Sequence, residues 1–261
     1  MSVRRPPSGG AARGQHFLRS SSLADTLVAE AGIAPGELVV DVGAGRGALT
    51  GALRRADARV IALEIDAALA AGLRRRFDND ARVAVVAADA RTWPWPAEPF
   101  SVVANLPFAG AAAVLRSLLD DPNASLQSAY VIVQWEFAAK RAATCPVTLQ
   151  GVYWAAWWRL AVARRLAPAA FAPPPPVVSA VLAIEPRDTP LVPRSEHALY
   201  RTFLERAWAD KPLRMTLRGT LGPRELKLLA AANGFDDRAL PRDIDARQWA
   251  AIYRRWRLQR R

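Results

Sequence analysis

Four groups of residues with chemical potential occur in a fixed order, each at the end of a short apolar run. The glycine-rich stretch Asp41–Gly47 comes first, Glu64 and Asp89 follow, and the tetrapeptide Asn105–Phe108 comes last. The apolar runs that end at these groups span residues 37–41, 58–64, 82–88 and 100–104. Such runs are typical of a parallel α/β sheet, whose strands are buried on both faces. Because ligands of these sheets bind at the carboxyl ends of the strands, the order predicts one shared site.

The first two groups predict a nucleoside-binding turn. Gly43, Gly45 and Gly47 tolerate positive φ and let a ligand approach the backbone closely. Glu64 follows about 20 residues later at the end of the next strand, where a carboxylate accepts hydrogen bonds from ribose hydroxyls. An isolated acid at a strand end is more often a helix cap, but the glycine turn upstream favours the nucleoside.

Asp89 ends the third predicted strand and suits the exocyclic amine of an adenine. The alternative role, a cap for a following helix, is disfavoured because Pro94 and Pro96 come soon after it. A glycine turn, a ribose acid and an adenine acid fit either a nicotinamide cofactor or S-adenosylmethionine.

The tetrapeptide Asn105–Phe108 favours S-adenosylmethionine and methylation of an amine. The lone pair of adenine N6 is delocalised into the ring, and the Asn105 side-chain oxygen and Leu106 carbonyl could accept its two N–H groups. Pro107 would fix the turn, and Phe108 would stack on a base swung out of its helix. Alone, the tetrapeptide would be an ordinary β-turn with a core phenylalanine; its place after the other three groups favours the enzymatic role.

Taken together, these motifs resemble the rRNA adenine N6-methyltransferases. The likeness covers residues 13–193, including further segments at Gly14–Leu18, Gln134–Glu136, Trp157–Trp158, Phe171–Val177, Ser179 and Pro190–Pro193. The tandem tryptophans and the short C-terminal part resemble the Erm branch, which methylates large-subunit rRNA and confers macrolide resistance. The other branch dimethylates adenines of small-subunit rRNA.

The resemblance implies an α/β fold: a Rossmann-like class I methyltransferase sheet with a small helical C-terminal domain. It assigns cofactor binding to His16, Leu18, Gly43, Gly45, Glu64, Ile65, Asp89, Ala90 and Asn105. It assigns the target adenine to Asn105, Leu106, Phe108 and Phe171. His16 stands where the family usually has asparagine, and Phe108 where tyrosine is common.

Charge divides the 261 residues into three predicted parts. Residues 1–19 contain four arginines and no acid, residues 20–186 contain 15 basic and 15 acidic residues, and residues 187–261 contain 17 and 9. This distribution predicts a basic tail, a neutral catalytic domain and a basic helical RNA-binding domain. The single cysteine and two distant histidines predict a reducing compartment and no metal site.

Hydrophobic spacing predicts the remaining elements. Ser20–Ser22 would cap a helix to about residue 31, and Trp154, Trp157 and Trp158 have the spacing of a buried helix face. Later strands are predicted at 129–134, 159–166 and 179–184, the last two as an antiparallel edge hairpin, and helices at 196–209, 223–233 and 246–258.

The functional hypothesis is S-adenosylmethionine-dependent N6-methylation, once or twice, of an adenine in protein-poor or precursor 23S rRNA, with antibiotic resistance as the result. We expect a cytoplasmic monomer without a membrane segment. The alternatives are a 16S rRNA adenine dimethyltransferase, a DNA adenine methylase, an inactive RNA-binding relative and, least favoured, a dehydrogenase.

Overall fold

The computed structural model describes residues 16–259, which form two compact units. The first unit comprises the chain up to Asp120 with Ala124–Ala138 and Val162–Glu185, and the second comprises Asp121–Asn123, Ala139–Ala161 and Pro186–Arg261. The second unit therefore includes residues 139–161. The charge distribution had placed these residues in the neutral part of the chain, residues 20–186. No helix within residues 16–259 is long and apolar enough to cross a membrane.

The described residues contain nine strands and ten α-helices. The strands are β1 (Phe17–Leu18), β2 (Leu38–Val42), β3 (Arg59–Glu64), β4 (Val83–Ala87), β5 (Phe100–Asn105), β6 (Leu126–Gln134), β7 (Trp158–Leu166), β8 (Phe171–Ala172) and β9 (Ser179–Pro186). The helices are α1 (Ser21–Glu30), α2 (Ala48–Arg55), α3 (Ala67–Arg76), α4 (Ala111–Leu119), α5 (Trp135–Ala142), α6 (Leu149–Ala155), α7 (His197–Ala207), α8 (Leu213–Thr216), α9 (Pro223–Asn233) and α10 (Ala246–Leu258).

Seven of the strands form one sheet in the order β4-β3-β2-β5-β6-β9-β7. The five strands β4, β3, β2, β5 and β6 run parallel, and β9 pairs antiparallel with β6. All five residues of β2 are buried, as expected for a central strand covered on both faces. The predicted Rossmann-like sheet with a helical C-terminal region is confirmed.

Parallel pairing carries the polar groups of β2, β3 and β5 to one edge of the sheet. Val39 of β2 faces Val60 of β3 and Ser101 of β5. In this register Glu64 ends β3 and Asn105 ends β5, beside the turn that follows β2. The order β3-β2-β5 thus places the glycine turn between the two side chains.

The tryptophan cluster differs from its predicted local structure. Trp154 lies in α6, but Trp157 follows that helix and Trp158 is the first residue of β7, so the helical spacing was the wrong interpretation. Core packing was the right one, because all three are at most 1% exposed. Trp157 Nε1 donates a 2.8 Å hydrogen bond to the Val192 carbonyl, which satisfies its one buried polar atom.

Most predicted boundaries agree with the observed elements. Ser20 caps α1 by accepting a hydrogen bond from the Leu23 N–H, and α9 and α10 have their predicted bounds. Helix α7 ends at Ala207, two residues earlier than predicted. β7 and β9 are neighbours at the sheet edge as expected.

The second unit is held by aromatic packing. The rings of Tyr200 and Tyr253 meet edge to face at 5.0 Å, and Phe203 packs against Trp249 and Trp256. Such pairs contribute about 0.5–1.5 kcal/mol each beyond the area they bury. This small unit thereby gains a well-packed core from a few large side chains.

Candidate active site

A two-stranded ribbon fixes the N-terminal segment beside the sheet. Strand β1 pairs antiparallel with β8, with Phe17 opposite Ala172. The imidazole Nδ1 of His16 lies 2.8 Å from the Pro173 carbonyl oxygen. These contacts tie residues distant in sequence into one wall of the site.

The turn after β2 shows why glycine is needed there. Gly43, Gly45 and Gly47 have φ values of 69°, 56° and 78°, in the left-handed region that glycine adopts without steric cost. A Cβ atom added at Gly45 would lie 2.8 Å from the Phe17 ring. The turn is therefore both left-handed and in close contact with its neighbour.

Glu64 is held in place by the backbone. One carboxylate oxygen accepts a 2.8 Å hydrogen bond from the Gly45 N–H, and the other accepts one of equal length from the Asp66 N–H. The residue is only 4% exposed. A carboxylate fixed at both oxygens retains free lone pairs in a set direction, which suits a diol.

Asn105 is anchored through its amide nitrogen. Nδ2 donates a 2.7 Å hydrogen bond to the His16 carbonyl, and the Leu106 N–H donates to the Ile132 carbonyl on the adjacent strand. The Pro107 carbonyl accepts from Gly110 and Ala111 at the start of α4. Within residues 16–259, no hydrogen bond reaches the Asn105 Oδ1 or Leu106 carbonyl oxygen, so both acceptors are available.

These groups enclose a cavity of about 320 Å³. Its lining includes eight sequence-predicted residues: His16, Gly43, Gly45, Glu64, Ile65, Asn105, Leu106 and Phe108. Phe17, Asp66 and Pro107 complete it. The ring of Phe108 lies 5.5 Å from that of His16, which gives this small-molecule-sized cavity one aromatic wall.

Two further cavities adjoin the central one and share Gly43 with it. Asp89 and Ala90 line one of about 170 Å³ together with Ile65. Leu18 lines another of about 260 Å³ that also contains Asn105. The predicted cofactor residues are thus spread over three contiguous cavities rather than one.

Asp89 has a partner that the sequence analysis missed. Arg91, two residues later, donates a 2.8 Å hydrogen bond from Nε to the carboxylate, and this contact lowers the pKa of Asp89. The carboxylate is therefore ionised at neutral pH, the state in which it accepts hydrogen bonds from an amine. The signal was present in sequence, since the two residues are separated by only one position.

Asp41 begins the glycine-rich stretch, but the sequence predicted no role for it. It is 1% exposed and borders the cavity that contains Leu18. Oδ2 accepts a 2.6 Å hydrogen bond from the Thr50 hydroxyl, whereas Oδ1 is buried without a partner. Burial is the main reason that the pKa of Asp41 is raised to about 7.

Phe171 is not brought to the cavity. It is 0% exposed and packs in a cluster with Leu27, Ile132, Leu166 and Val181. We expected this ring to cover one face of the target adenine, but it is absent from the lining of the three cavities. Because Phe171 of β8 pairs with Leu18 of β1, its ring packs in the core.

Comparison with known proteins assigns this arrangement to a family. Residues 11–257 match the family described as ribosomal RNA adenine dimethylase. The chain belongs to this family. It is an rRNA (adenine-N6)-methyltransferase.

A resistance protein and a small-subunit methyltransferase have the same sequence identity to this methyltransferase. The mycinamicin-resistance protein MyrB of Micromonospora griseorubida is 30% identical over 94% of this chain and 78% of its own. The ribosomal RNA small subunit methyltransferase A of Synechococcus elongatus is 30% identical over 92% of each chain. The crystal structure of the 23S rRNA methyltransferase ErmE matches with a TM-score of 0.80 and 25% identity, covering 92% of this chain and 99% of that one.

The cofactor of this methyltransferase is S-adenosylmethionine. The residues present fit it: a left-handed glycine turn leaves backbone exposed to a ligand, and the buried Asp41 Oδ1 lacks a partner at the cavity that contains Leu18. A carboxylate fixed at the end of β3 suits the ribose, and an ionised one beyond β4 suits the adenine amine. When bound, the cofactor supplies a methyl group already activated by its sulfonium.

Proposed function

We propose that this enzyme methylates N6 of an adenine in 23S rRNA and thereby confers resistance to macrolide-type antibiotics. The observation that carries the choice of subunit is the likeness to ErmE, which spans nearly the whole of both chains. The similarity to a mycinamicin-resistance protein supports the biological outcome.

A second candidate is dimethylation of 16S rRNA during ribosome biogenesis. The small-subunit relative is as identical to this chain as the resistance protein is, and the match covers 92% of that relative. Sequence identity therefore does not choose between the subunits, and the experiment must.

We assign the target adenine to the tetrapeptide after β5. The Asn105 Oδ1 and the Leu106 carbonyl would each accept one N–H of the adenine amine, which draws the nitrogen lone pair away from the ring. Because Nδ2 is bound to the His16 carbonyl, the Asn105 amide is held before the base arrives. Preorganised acceptors of this kind need no reorientation during the reaction. Phe108, which lines the same cavity, would stack on the flipped base.

We assign the cofactor to the turns after β2, β3 and β4. Glu64 would hold the ribose, with Ile65 beside it, and Asp89 with Ala90 would bind the adenine end. Gly43 and Gly45 would lie against the cofactor, with His16 and Leu18 at its methionine end. The anchored carboxylate of Glu64 is the strongest support for this direction of binding.

The methyl transfer itself requires no strong base from this chain. The proton on the adenine nitrogen becomes acidic as the nitrogen gains a fourth bond, and water can accept it. The protein's contribution is therefore alignment of the amine and polarisation of its lone pair. Among residues 16–259 no three histidine, cysteine or acidic side chains are grouped as a metal site.

We further propose that residues 20–186 act as the catalytic domain, that residues 187–261 bind RNA, and that the basic tail of residues 1–19 assists. Most of that tail lies outside the described residues. We propose that a cytoplasmic monomer acts on protein-poor or precursor rRNA, since assembled large subunits bury the target.

The subunit choice is tested by offering purified enzyme naked 23S rRNA and 30S particles with labelled cofactor. We expect incorporation into 23S rRNA at an adenine N6, and raised macrolide tolerance in a sensitive bacterium that expresses the protein. Cells that express the Asn105→Ala variant are the matched control, because tolerance that depends on catalysis should be lost in them. Incorporation confined to 30S particles, with unchanged drug sensitivity, would overturn the 23S assignment and leave the methyl-transfer chemistry intact.

A further inference from the structure

A cavity within the second unit has an unusual lining. Its volume is about 400 Å³, and its charged lining residues are four arginines and one aspartate: Arg141, Arg159, Arg187, Arg247 and Asp245. Small side chains, among them Ala142, Ala155 and Ala246, leave it open. Guanidinium groups that line one cavity suit an anion.

The arginines of this cavity differ in how they are paired. Arg159 forms an ion pair with Asp188 at 2.8 Å. Asp245 caps α10 by accepting a 2.8 Å hydrogen bond from the Gln248 N–H, so its carboxylate is partly satisfied by the positive end of that helix. Arg247 is exposed and has no ion-pair partner among the described residues.

The guanidinium of Arg187 is repelled by the charges of two other arginines. Its Nε donates a 2.7 Å hydrogen bond to the Ala155 carbonyl, which fixes the guanidinium against the cavity wall. Burial is the main cause that lowers its pKa, the charges of Arg247 and Arg159 lower it further, and the charge of Asp245 partly offsets them. An anion between these guanidinium groups would relieve the repulsion among them.

We propose that this cavity binds a backbone phosphate of the RNA substrate, with Arg187 and Arg247 as its principal ligands. Arginine is suited to phosphate because its planar fork can donate two parallel hydrogen bonds. The contact would be independent of base sequence and would position the RNA rather than select it. This inference does not depend on which ribosomal subunit carries the target adenine.

The test measures binding of a single-stranded oligoadenylate to the full chain at 50 and 200 mM salt. One lost phosphate contact lowers the salt slope by about 0.7, so the ratio of wild-type to Arg247→Ala affinity should fall about 2.6-fold over this range. Arg247→Lys keeps the charge and should retain most of the slope. Arg224→Ala is the matched control, since Arg224 is exposed in the same unit and does not line the cavity.

A second measurement distinguishes a phosphate of the RNA backbone from free inorganic phosphate. Inorganic phosphate at constant ionic strength should compete with oligoadenylate for the wild type and much less for Arg247→Ala. Equal slope changes in Arg247→Ala and Arg224→Ala, or no change in either, would overturn the proposal. Phosphate could instead stabilise the wild type, but not Arg247→Ala, without weakening RNA binding. The cavity would then be a site for free anions, and the proposal would also be overturned.

Discussion

The cavity at the carboxyl edge of the sheet and the arginine cavity of the second unit offer a ligand different kinds of contact. In the first, Glu64 and Asn105 are fixed by backbone groups at 2.7–2.8 Å before any ligand arrives. In the second, Arg247 is exposed and Arg187 alone of the two is anchored, through one hydrogen bond. A fixed site suits discrimination and chemistry, whereas exposed positive charge suits attraction to a uniform polyanion.

The largest expected effect tests whether Phe171 belongs to the first site or to the core. Phe171→Ala removes a fully buried ring, and a change of this kind lowers the free energy of unfolding by about 3–5 kcal/mol. Phe108→Ala, at the cavity wall, should leave unfolding nearly unchanged and weaken RNA binding by about 1–3 kcal/mol through lost stacking. Denaturant titration and RNA binding of both variants measure this. A stable Phe171→Ala variant with weakened RNA binding would restore the stacking role.

Phe171 also shows which kind of feature could not be predicted from the sequence. Glu64, Gly45 and Asn105 were predictable because strand ends and turns are local signals that parallel topology brings together. Whether Phe171 faces a ligand or the core depends on the pairing of β1 with β8, residues more than 150 positions apart. The arginine cavity was unpredictable for the same reason, since Arg141 lies in α5, Arg159 in β7, Arg187 directly after β9 and Arg247 in α10.

The second effect concerns the preorganised amide. Asn105→Ala should lower turnover by about 10²–10³-fold at saturating RNA, the scale for one fixed polar group in a transition state. Cofactor affinity should change less, because the Glu64 anchors are untouched. Asn79→Ala, an exposed asparagine outside the site, is the control. Wild-type turnover in Asn105→Ala would remove the amide from the mechanism.

The third effect concerns the ribose acid. Glu64→Ala should weaken S-adenosylmethionine binding by about 1.5–3 kcal/mol, the range for hydrogen bonds to a charged group. Calorimetry measures it, and Glu98→Ala, whose exposed carboxylate pairs with Arg59 away from the cavities, is the control. Unchanged affinity in a folded Glu64→Ala variant would contradict the assignment.

The fourth effect concerns Asp41 and the pH dependence of stability. Burial raises its pKa from the ordinary 3.8 to about 7 in the folded chain, so between these values the native state binds more protons than the unfolded state. Its contribution to stability therefore falls as pH rises from about 4 to about 7, with a slope of at most about 1.4 kcal/mol per pH unit. Asp41→Asn should remove this slope in denaturant titrations across that range. An identical pH profile for both proteins would show that Asp41 is ionised throughout.

The smallest expected effect separates charge that is available from charge that is already paired. The basic residues 187–261 were predicted to bind RNA, yet Arg257 pairs with Glu196 at 3.0 Å and Arg255 pairs with Glu225. Their neighbour Arg254 donates to the Leu191 carbonyl. A guanidinium already bound to a carboxylate gives up that pair when it binds phosphate, so its net gain is small. Arg257→Ala should therefore change the salt slope of oligoadenylate binding less than Arg247→Ala does. If Arg257→Ala changes it more, the C-terminal helix, not the arginine cavity, is the main phosphate contact of the second unit.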